Sequence, residues 1–251
     1  IPITTTVLGL GVFPETHPLS LRMLGMHGTV YANYAVQGSD LLISVGARFD
    51  DRVTGKIDMF APHAKIVHID IDPSSISKTV KVHYPIVGDV KPAVKALSKL
   101  VKDKRKQIKD WTDQIEEWKK KHPLKYKNAD GVLRQEFVIQ KIGELTNHNA
   151  VVTTGVGQHQ MWTAQWYQFT KPRSMITSGG LGTMGYGFPA AIGAQVGRPG
   201  ETVICIDGDG SFQMTMCELA TAAYHKIPVK VFIMDNAHHG MVRQWQELFY
   251  N

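Results

Sequence analysis

Asp209 and Asn236 are the residues whose types and spacing most directly imply chemistry. Asp209 stands in Gly208-Asp209-Gly210-Ser211, and Asn236 follows Ile233-Met234-Asp235, 27 positions further on. A carboxylate and an amide oxygen are hard donors, and glycines beside them let the backbone come close to a phosphate. Ser211 is expected to begin a helix, whose amino end favours anions. Magnesium takes few protein ligands and completes its shell with phosphate oxygens. These residues describe a magnesium–diphosphate clamp. A glycine-flanked aspartate alone would fit an ordinary tight turn equally well. The second oxygen donor, placed at the end of a second apolar run, favours the metal.

Positioning these donors requires a particular pair of strands. Residues 203–206 are short, apolar and β-branched, which predicts a buried strand, and residues 229–234 predict the next strand. Between them, Phe212, Met216, Leu219 and Ala223 recur at helical spacing, which predicts a helix over 212–225. A strand–helix–strand unit of this length makes parallel neighbours by a right-handed crossover. Asp209 and Asn236 then both lie past strand carboxyl ends, where open α/β sheets bind ligands. Residues 152–154 predict another strand, after a helix containing Phe137-Val138-Ile139. The run Gly179-Gly180-Leu181-Gly182-Thr183-Met184-Gly185 is too rich in glycine for either regular element and reads as a loop close to a bulky ligand. By residue type alone Met184 is core filler, and Gln158 and His159 are helix-capping residues.

The first half repeats the pattern. Strands are expected at 3–7, 41–45, 65–71 and 85–87, leading into Gly9-Leu10-Gly11, Gly46-Ala47-Arg48, Asp72-Pro73 and Gly88-Asp89. Glycines and acids at strand ends suit a nucleotide, with amides for phosphates and a carboxylate for ribose. The third glycine of the dinucleotide fingerprint is missing, and a ligand-free doubly wound domain would look the same. Arg48 and Arg52 read equally as local ion-pair partners of Asp50 and Asp51.

The net charge of +6 arises mostly between Lys99 and Lys121, which hold nine Lys or Arg against five Asp or Glu. Leu97, Leu100, Val101, Ile108, Trp111, Ile115 and Trp118 recur there at helical spacing, predicting one amphipathic helix with a solvated basic face. No recognition module accompanies the charge, so a surface connector is favoured over nucleic-acid binding. No apolar run approaches the roughly 20 residues that span a bilayer. Cys205 and Cys217 are expected to be buried thiols, not a disulfide. The domain assignment is 1–122, a linker at 123–131, and 132–251.

Longer blocks of sequence carry a resemblance. Asp207-Gly208-Asp209-Gly210 through Asp235-Asn236 resembles the thiamine-diphosphate motif, except that Asp235 replaces the first of its two asparagines. Residues 153–162, 177–187 and 240–246, with Gly25-Met26-His27-Gly28 and residues 46–55, are similar to the acetohydroxyacid synthase (acetolactate synthase) large catalytic subunit. The resemblance covers nearly the whole chain. It implies an α/β fold of two doubly wound parallel-sheet domains, a central FAD-type domain and a diphosphate-binding domain. Both are expected to be incomplete here, with the aminopyrimidine-gripping domain and its activating glutamate absent. A chain of this extent alone is therefore expected not to turn over.

By that resemblance, thiamine diphosphate is contacted by Val156, Gly157, Gln158, His159, Gly182, Met184, Gly210, Ser211, His239, Gly240, Met241 and Val242. Met184 would wedge between the two cofactor rings. Magnesium would be held by Asp209 and Asn236 through side chains and by His238 through its backbone carbonyl. FAD would be contacted by Met26, His27, Gly46, Arg48, Asp50, Arg52, Val53, Asp70 and Asp89. Arg52 would also bind the carboxylate of a second 2-ketoacid, and Trp245 would pack on its alkyl group. The implied reaction decarboxylates pyruvate and joins the two-carbon unit to pyruvate or 2-ketobutyrate, in branched-chain amino acid biosynthesis. A homodimer or tetramer, with a regulatory small subunit, is implied for the intact protein. Its compartment would be cytoplasmic in a bacterium and organellar in a eukaryote. Two other readings are a related thiamine enzyme that only decarboxylates or oxidises pyruvate, and a noncatalytic nucleotide-binding module.

Overall fold

The computed structural model describes residues 1–101, 108–127 and 131–250. They divide into two compact units, one of residues 1–6 and 21–124, the other of residues 7–20 and 125 onwards.

In the first unit β1 (Ile3–Thr5) pairs with β2 (Ser20–Met23). The predicted first strand stops at Thr5, and Val7–Gly9 form a turn of 3-10 helix. After β2 come α1 (Val30–Gln37), β3 (Leu41–Val45), α2 (Asp51–Thr54), β4 (Lys65–Asp70), β5 (Tyr84–Val87), α3 (Val90–Leu100) and α4 (Lys109–Lys121). Strands β3, β4 and β5 form a parallel sheet in that order, so the expected strand–helix units are present. Phe49, Phe60, Ile66 and Val80 pack into one core cluster of this unit.

The helix predicted across 97–121 is not one element. Helix α3 ends at Leu100, Val101 is extended, and residues 102–107 lie outside the described residues. The apolar seam of α4 is used nonetheless. Ile115 is buried with Tyr31, Ala32 and Ala35 of α1, and Trp111 and Trp118 pack against the same cluster. The charged face keeps partners of its own, such as Lys119 with Glu116 at 2.7 Å.

The second unit runs α5 (Gln135–Leu145), β6 (Val151–Thr154), α6 (Gln158–Trp166), β7 (Met175–Thr177), α7 (Gly187–Gly197), β8 (Val203–Gly208), α8 (Asp209–Gln213), α9 (Leu219–Tyr224), β9 (Lys230–Met234) and α10 (Gly240–Phe249). Its sheet is parallel in the order β7-β6-β8-β9. Strands β6 and β8 are buried at every position, as expected of central strands in a parallel sheet covered on both faces. Helix α7 packs Phe188 and Ala191 on Val151, Val203 and Cys205.

Two expectations fail in this unit. The helix predicted over 212–225 is broken: α8 ends at Gln213, Thr215 leaves helical geometry at φ −132°, and α9 starts at Leu219 after a 3-10 turn. Cys217 lies in that turn and is exposed, while Cys205 in β8 is buried. Of the four residues at helical spacing only Phe212 packs against the core, while Met216 and Leu219 are about half exposed, so the spacing predicted neither the buried face nor the break.

Candidate functional site

Chain order and sheet order together define the site. The chain leaves β6 towards β7 on one side and leaves β8 towards β9 on the other. Between β6 and β8 the winding reverses, and the carboxyl ends there open a crevice, the usual ligand position in doubly wound sheets. The turn after β6 supplies residues 155–159, the turn after β8 supplies Asp209–Ser211, and the turn after β9 supplies residues 235–239. The paired register of Gly208 with Met234 sets the last two turns side by side.

A cleft of about 70 Å³ occupies this crevice. Of the residues expected at thiamine diphosphate, Val156, Gly157, Gln158, His159, Met184, Gly210, Ser211, His239, Gly240, Met241 and Val242 line it. So do Asp209, Asn236 and His238, expected at the metal. Gly182 does not; it turns at φ +67° one step further up the glycine loop. Trp245 also lies outside the lining, stacked on Phe249 at 4.8 Å. Gln135 and Met234 line the cleft without having been expected there. Neither carries a sequence signal, since one is a helix-start residue and the other ends a strand.

The walls are closely drawn. A Cβ on Gly210 would sit 2.9 Å from the His239 ring, and one on Gly208 would sit 2.7 Å from His159 Nδ1. A Cβ on Gly240 would lie 2.1 Å from Gln158 Oε1. A side chain at any of these glycines would displace His159, His239 or Gln158 from its place in the cleft. Gln158 does not cap α6; its Oε1 accepts from Asn236 Nδ2 at 3.2 Å and its Nε2 donates to Gln244 Oε1 at 3.2 Å. Asn236 Oδ1 accepts the His238 amide at 3.1 Å, fixing the turn. His238 in turn contacts Arg243 Nη1 through Nε2 at 2.6 Å. Asp235, the departure from the family motif, accepts the Ala237 amide at 2.8 Å and so shapes the same turn.

Ser211 does not start its helix. Helix α8 begins at Asp209, and buried Ser211 in its first turn accepts the Gly185 amide at 3.0 Å. Beneath it lie two buried titratable groups. Burial pushes the His159 imidazole down to about 4, against a hydrogen bond to the Gly155 backbone and the charge of Asp209. Burial raises the Asp207 carboxyl, against hydrogen bonds from Ser211 and the Gly208 amide. The His159 Nε2 to Asp207 Oδ1 distance is 3.4 Å, longer than a good hydrogen bond. In sequence Asp207 reads only as part of the motif, because nothing in its spacing separates a buried acid from a solvated one.

The donor set fits a magnesium-bound diphosphate. No cluster of three or more His, Cys, Asp or Glu side chains able to hold a metal occurs among the described residues. Asp209 with the Asn236 amide oxygen and the His238 carbonyl is the kind of incomplete oxygen set that a magnesium-bound phosphate would complete. Glycine backbone and the His159 side chain line the cleft beside it.

In the first unit, Gly46, Asp70 and Asp89 stand at the carboxyl ends of β3, β4 and β5. Asp89 caps α3 by accepting the Lys91 amide at 2.8 Å, and Asp70 accepts the Asp72 amide at 2.9 Å. Met26 and His27 lie against α2: the Met26 amide donates to Arg52 O at 2.8 Å. A Cβ on Gly25 would stand 2.9 Å from Val53 Cα. Arg48 pairs with Asp50, and Arg52 with Asp51 at 2.9 Å, the local pairing that residue type alone allowed. Both guanidiniums are largely exposed. Asp50 is held below the usual carboxylate range, mainly by the Arg52 amide. His27 is lowered by burial and by the Arg52 charge.

A parallel sheet with this cleft at its winding reversal defines a ligand-binding α/β protein, and sequence comparison supplies the class. Residues 155–251 match the thiamine pyrophosphate enzyme C-terminal TPP binding domain, and residues 1–97 match the thiamine pyrophosphate enzyme central domain. The chain belongs to the thiamine pyrophosphate enzyme family. Within it, the chain is 54% identical over its whole length to acetolactate synthase 1 of Nicotiana tabacum, covering 38% of that protein. It is 52% identical to acetolactate synthase 1 of Zea mays, covering 40%. Identity is likewise 52% to the acetolactate synthase large subunit IlvB1 of Mycobacterium tuberculosis, covering 41%. The chain therefore spans about two fifths of the length of these relatives.

Proposed function

We propose that the intact protein is an acetolactate synthase large subunit, joining a two-carbon unit from pyruvate to a second pyruvate or to 2-ketobutyrate in branched-chain amino acid biosynthesis. The observation that carries this reading is the meeting of Asp209, Asn236 and His238 with the residue 156–159 turn and Met184 around one cleft. Whole-length identity to acetolactate synthases supports the choice within the family.

Asp209 and Asn236 would hold magnesium by side-chain oxygens and His238 by its carbonyl. Gly157, Gln158, His159, Gly210, Ser211 and residues 239–242 would surround the diphosphate end. Thiamine diphosphate, when bound, supplies an acidic ring carbon and an electron sink for decarboxylation. Met184 would press between its rings, and the near-absence of side chains at Gly179, Gly180, Gly182 and Gly185 leaves room for them. Arg52 offers a planar fork suited to a ketoacid carboxylate, and Trp245 an apolar wall suited to its alkyl group. Such a wall separates substrates differing by one methylene by about 1–3 kcal/mol. Met26, His27, Gly46, Arg48, Asp50, Arg52, Val53, Asp70 and Asp89 would contact FAD. A homodimer or tetramer with a regulatory small subunit is the assembly that goes with this activity. The plant relatives are chloroplastic and others bacterial, so the compartment follows the source.

The test is product analysis on the complete protein. With thiamine diphosphate, magnesium and FAD, pyruvate should yield acetolactate, and omission of thiamine diphosphate or magnesium should abolish it. Acetaldehyde or acetate without acetolactate would replace this reading with a simple decarboxylase or oxidase. No turnover with all cofactors present would favour a nucleotide-binding module.

A further inference from the structure

Met184 sits on a loop with too many glycines to hold itself still, so something else must hold it. At the loop's start, Thr177 Oγ1 bonds Thr154 Oγ1 and Gln160 Nε2, each at 2.7 Å, and Ser178 Oγ accepts the Thr183 amide at 3.0 Å. Its middle is bare, with Leu181 94% exposed. At its end both backbone polar groups of Gly185 are taken by side chains from the segment after β8. The Gly185 amide donates to Ser211 Oγ at 3.0 Å, and the Thr215 hydroxyl donates to Gly185 O at 2.9 Å. Gly185 has φ +81°, and a Cβ there would stand 3.1 Å from both Met214 Cβ and Thr215 Cγ2. The loop therefore lies directly on the chain following the metal turn. Ser211 is itself anchored from below by a hydrogen bond to buried Asp207. The Met184 methyl comes within 3.8 Å of where a Gly210 Cβ would be.

We propose that Thr215, acting with Ser211 through Gly185, is a positioning residue that fastens the Met184 loop to the Asp209–Ser211 metal turn, so that metal-bound diphosphate and the Met184 wedge are set as one unit. Thr215 touches neither. It is also the residue where the expected 212–225 helix breaks, and the break is what turns its hydroxyl towards Gly185. A continuous helix would have spent that hydroxyl on its own carbonyls. The proposal rests on the cofactor reading of this cleft, because it gives Met184 something to wedge.

The experiment uses the full-length protein with Thr215→Val, which keeps the branched shape and removes the donor, and Thr215→Ser, which keeps the donor. Three readouts are taken: hydrogen exchange of the peptide covering residues 178–185 in the cofactor-free protein, thiamine diphosphate affinity by tryptophan fluorescence, and kcat with KM for pyruvate. Thr215→Val should speed loop exchange roughly fivefold, as losing one hydrogen bond allows. It should lower kcat about tenfold while KM and thermal midpoint stay near wild type, since misplacement without loss of binding acts on the reacting geometry. Thr215→Ser should restore both exchange and kcat. Unchanged exchange in Thr215→Val overturns the proposal, and so does a kcat loss that serine fails to rescue. Failure of the cofactor reading registers separately, as a wild-type protein with no fluorescence response to thiamine diphosphate and magnesium; the exchange comparison still decides the role of Thr215.

Discussion

His159 is charged in neither role the site could give it. Its unfolded value is 6.5 and its folded value about 4, because burial disfavours the imidazolium. Between those values the unfolded chain binds a proton that the folded chain refuses, so folding stability falls as pH is lowered through the window. A shift of this size corresponds to a loss on the order of 3 kcal/mol. Asp207 has the opposite sign: its raised carboxyl stabilises the folded form at low pH, and that contribution is lost as pH rises above 3.8. It therefore acts against the His159 trend. Urea midpoints measured from pH 4.5 to pH 7 should rise with pH in the wild type and flatten in His159→Gln. An unflattened curve would place the proton uptake elsewhere.

At the scale of elements, glycine marks where strands and turns converge. A Cβ on Gly187, at the start of α7, would stand 2.4 Å from the Gly155 amide nitrogen and 2.8 Å from Asp207 Oδ2. Those are backbone and buried carboxyl atoms, unable to swing aside. Gly187→Ala should cost about 3 kcal/mol or more of stability, the upper range for overpacking a closed core. Gly180→Ala, where nothing lies within 4 Å, should be near neutral in the same denaturation experiment. Much of this level was legible in the sequence. Strand ends at Gly46, Gly88, Thr154, Gly208 and Met234 followed from short β-branched runs closed by glycine or acid, whether the strand is buried throughout like β8 or largely exposed like β3 and β9. What stayed hidden was hydrogen bonding between distant segments. The helix break at Thr215 depends on Gly185, thirty positions away, and no local periodicity encodes it. Strand β7 was not anticipated either, since Met175-Ile176-Thr177 is too short to show a pattern.

At the scale of the whole molecule, the basic charge and the chemistry separate. The excess of Lys and Arg between Lys99 and Lys121 falls before α4, which carries four lysines against four acids and commits its apolar seam to α1 in the first unit. The cleft belongs to the second unit and gathers three turns of one sheet. Asp209 and Asn236 could be paired from sequence because a crossover of fixed hand forces their strands together. Segment 7–20 could not be placed this way: buried Glu15 accepts the Phe169 amide at 2.7 Å, joining residues 154 positions apart. Nothing in a predicted strand at 3–7 announces that the chain changes unit just afterwards. No helix among the described residues is long and apolar enough to cross a membrane.

The measurement that bears most directly on the cleft is calorimetric titration of thiamine diphosphate into the full-length protein, with and without magnesium, for wild type and Asp209→Ala. Wild type should bind only when magnesium is present, and Asp209→Ala should lose at least about a hundredfold in affinity, as removal of one carboxylate from a three-ligand metal site implies. Equal affinity in the two proteins, or wild-type binding indifferent to magnesium, would contradict the assignment of this cleft as the metal–diphosphate site.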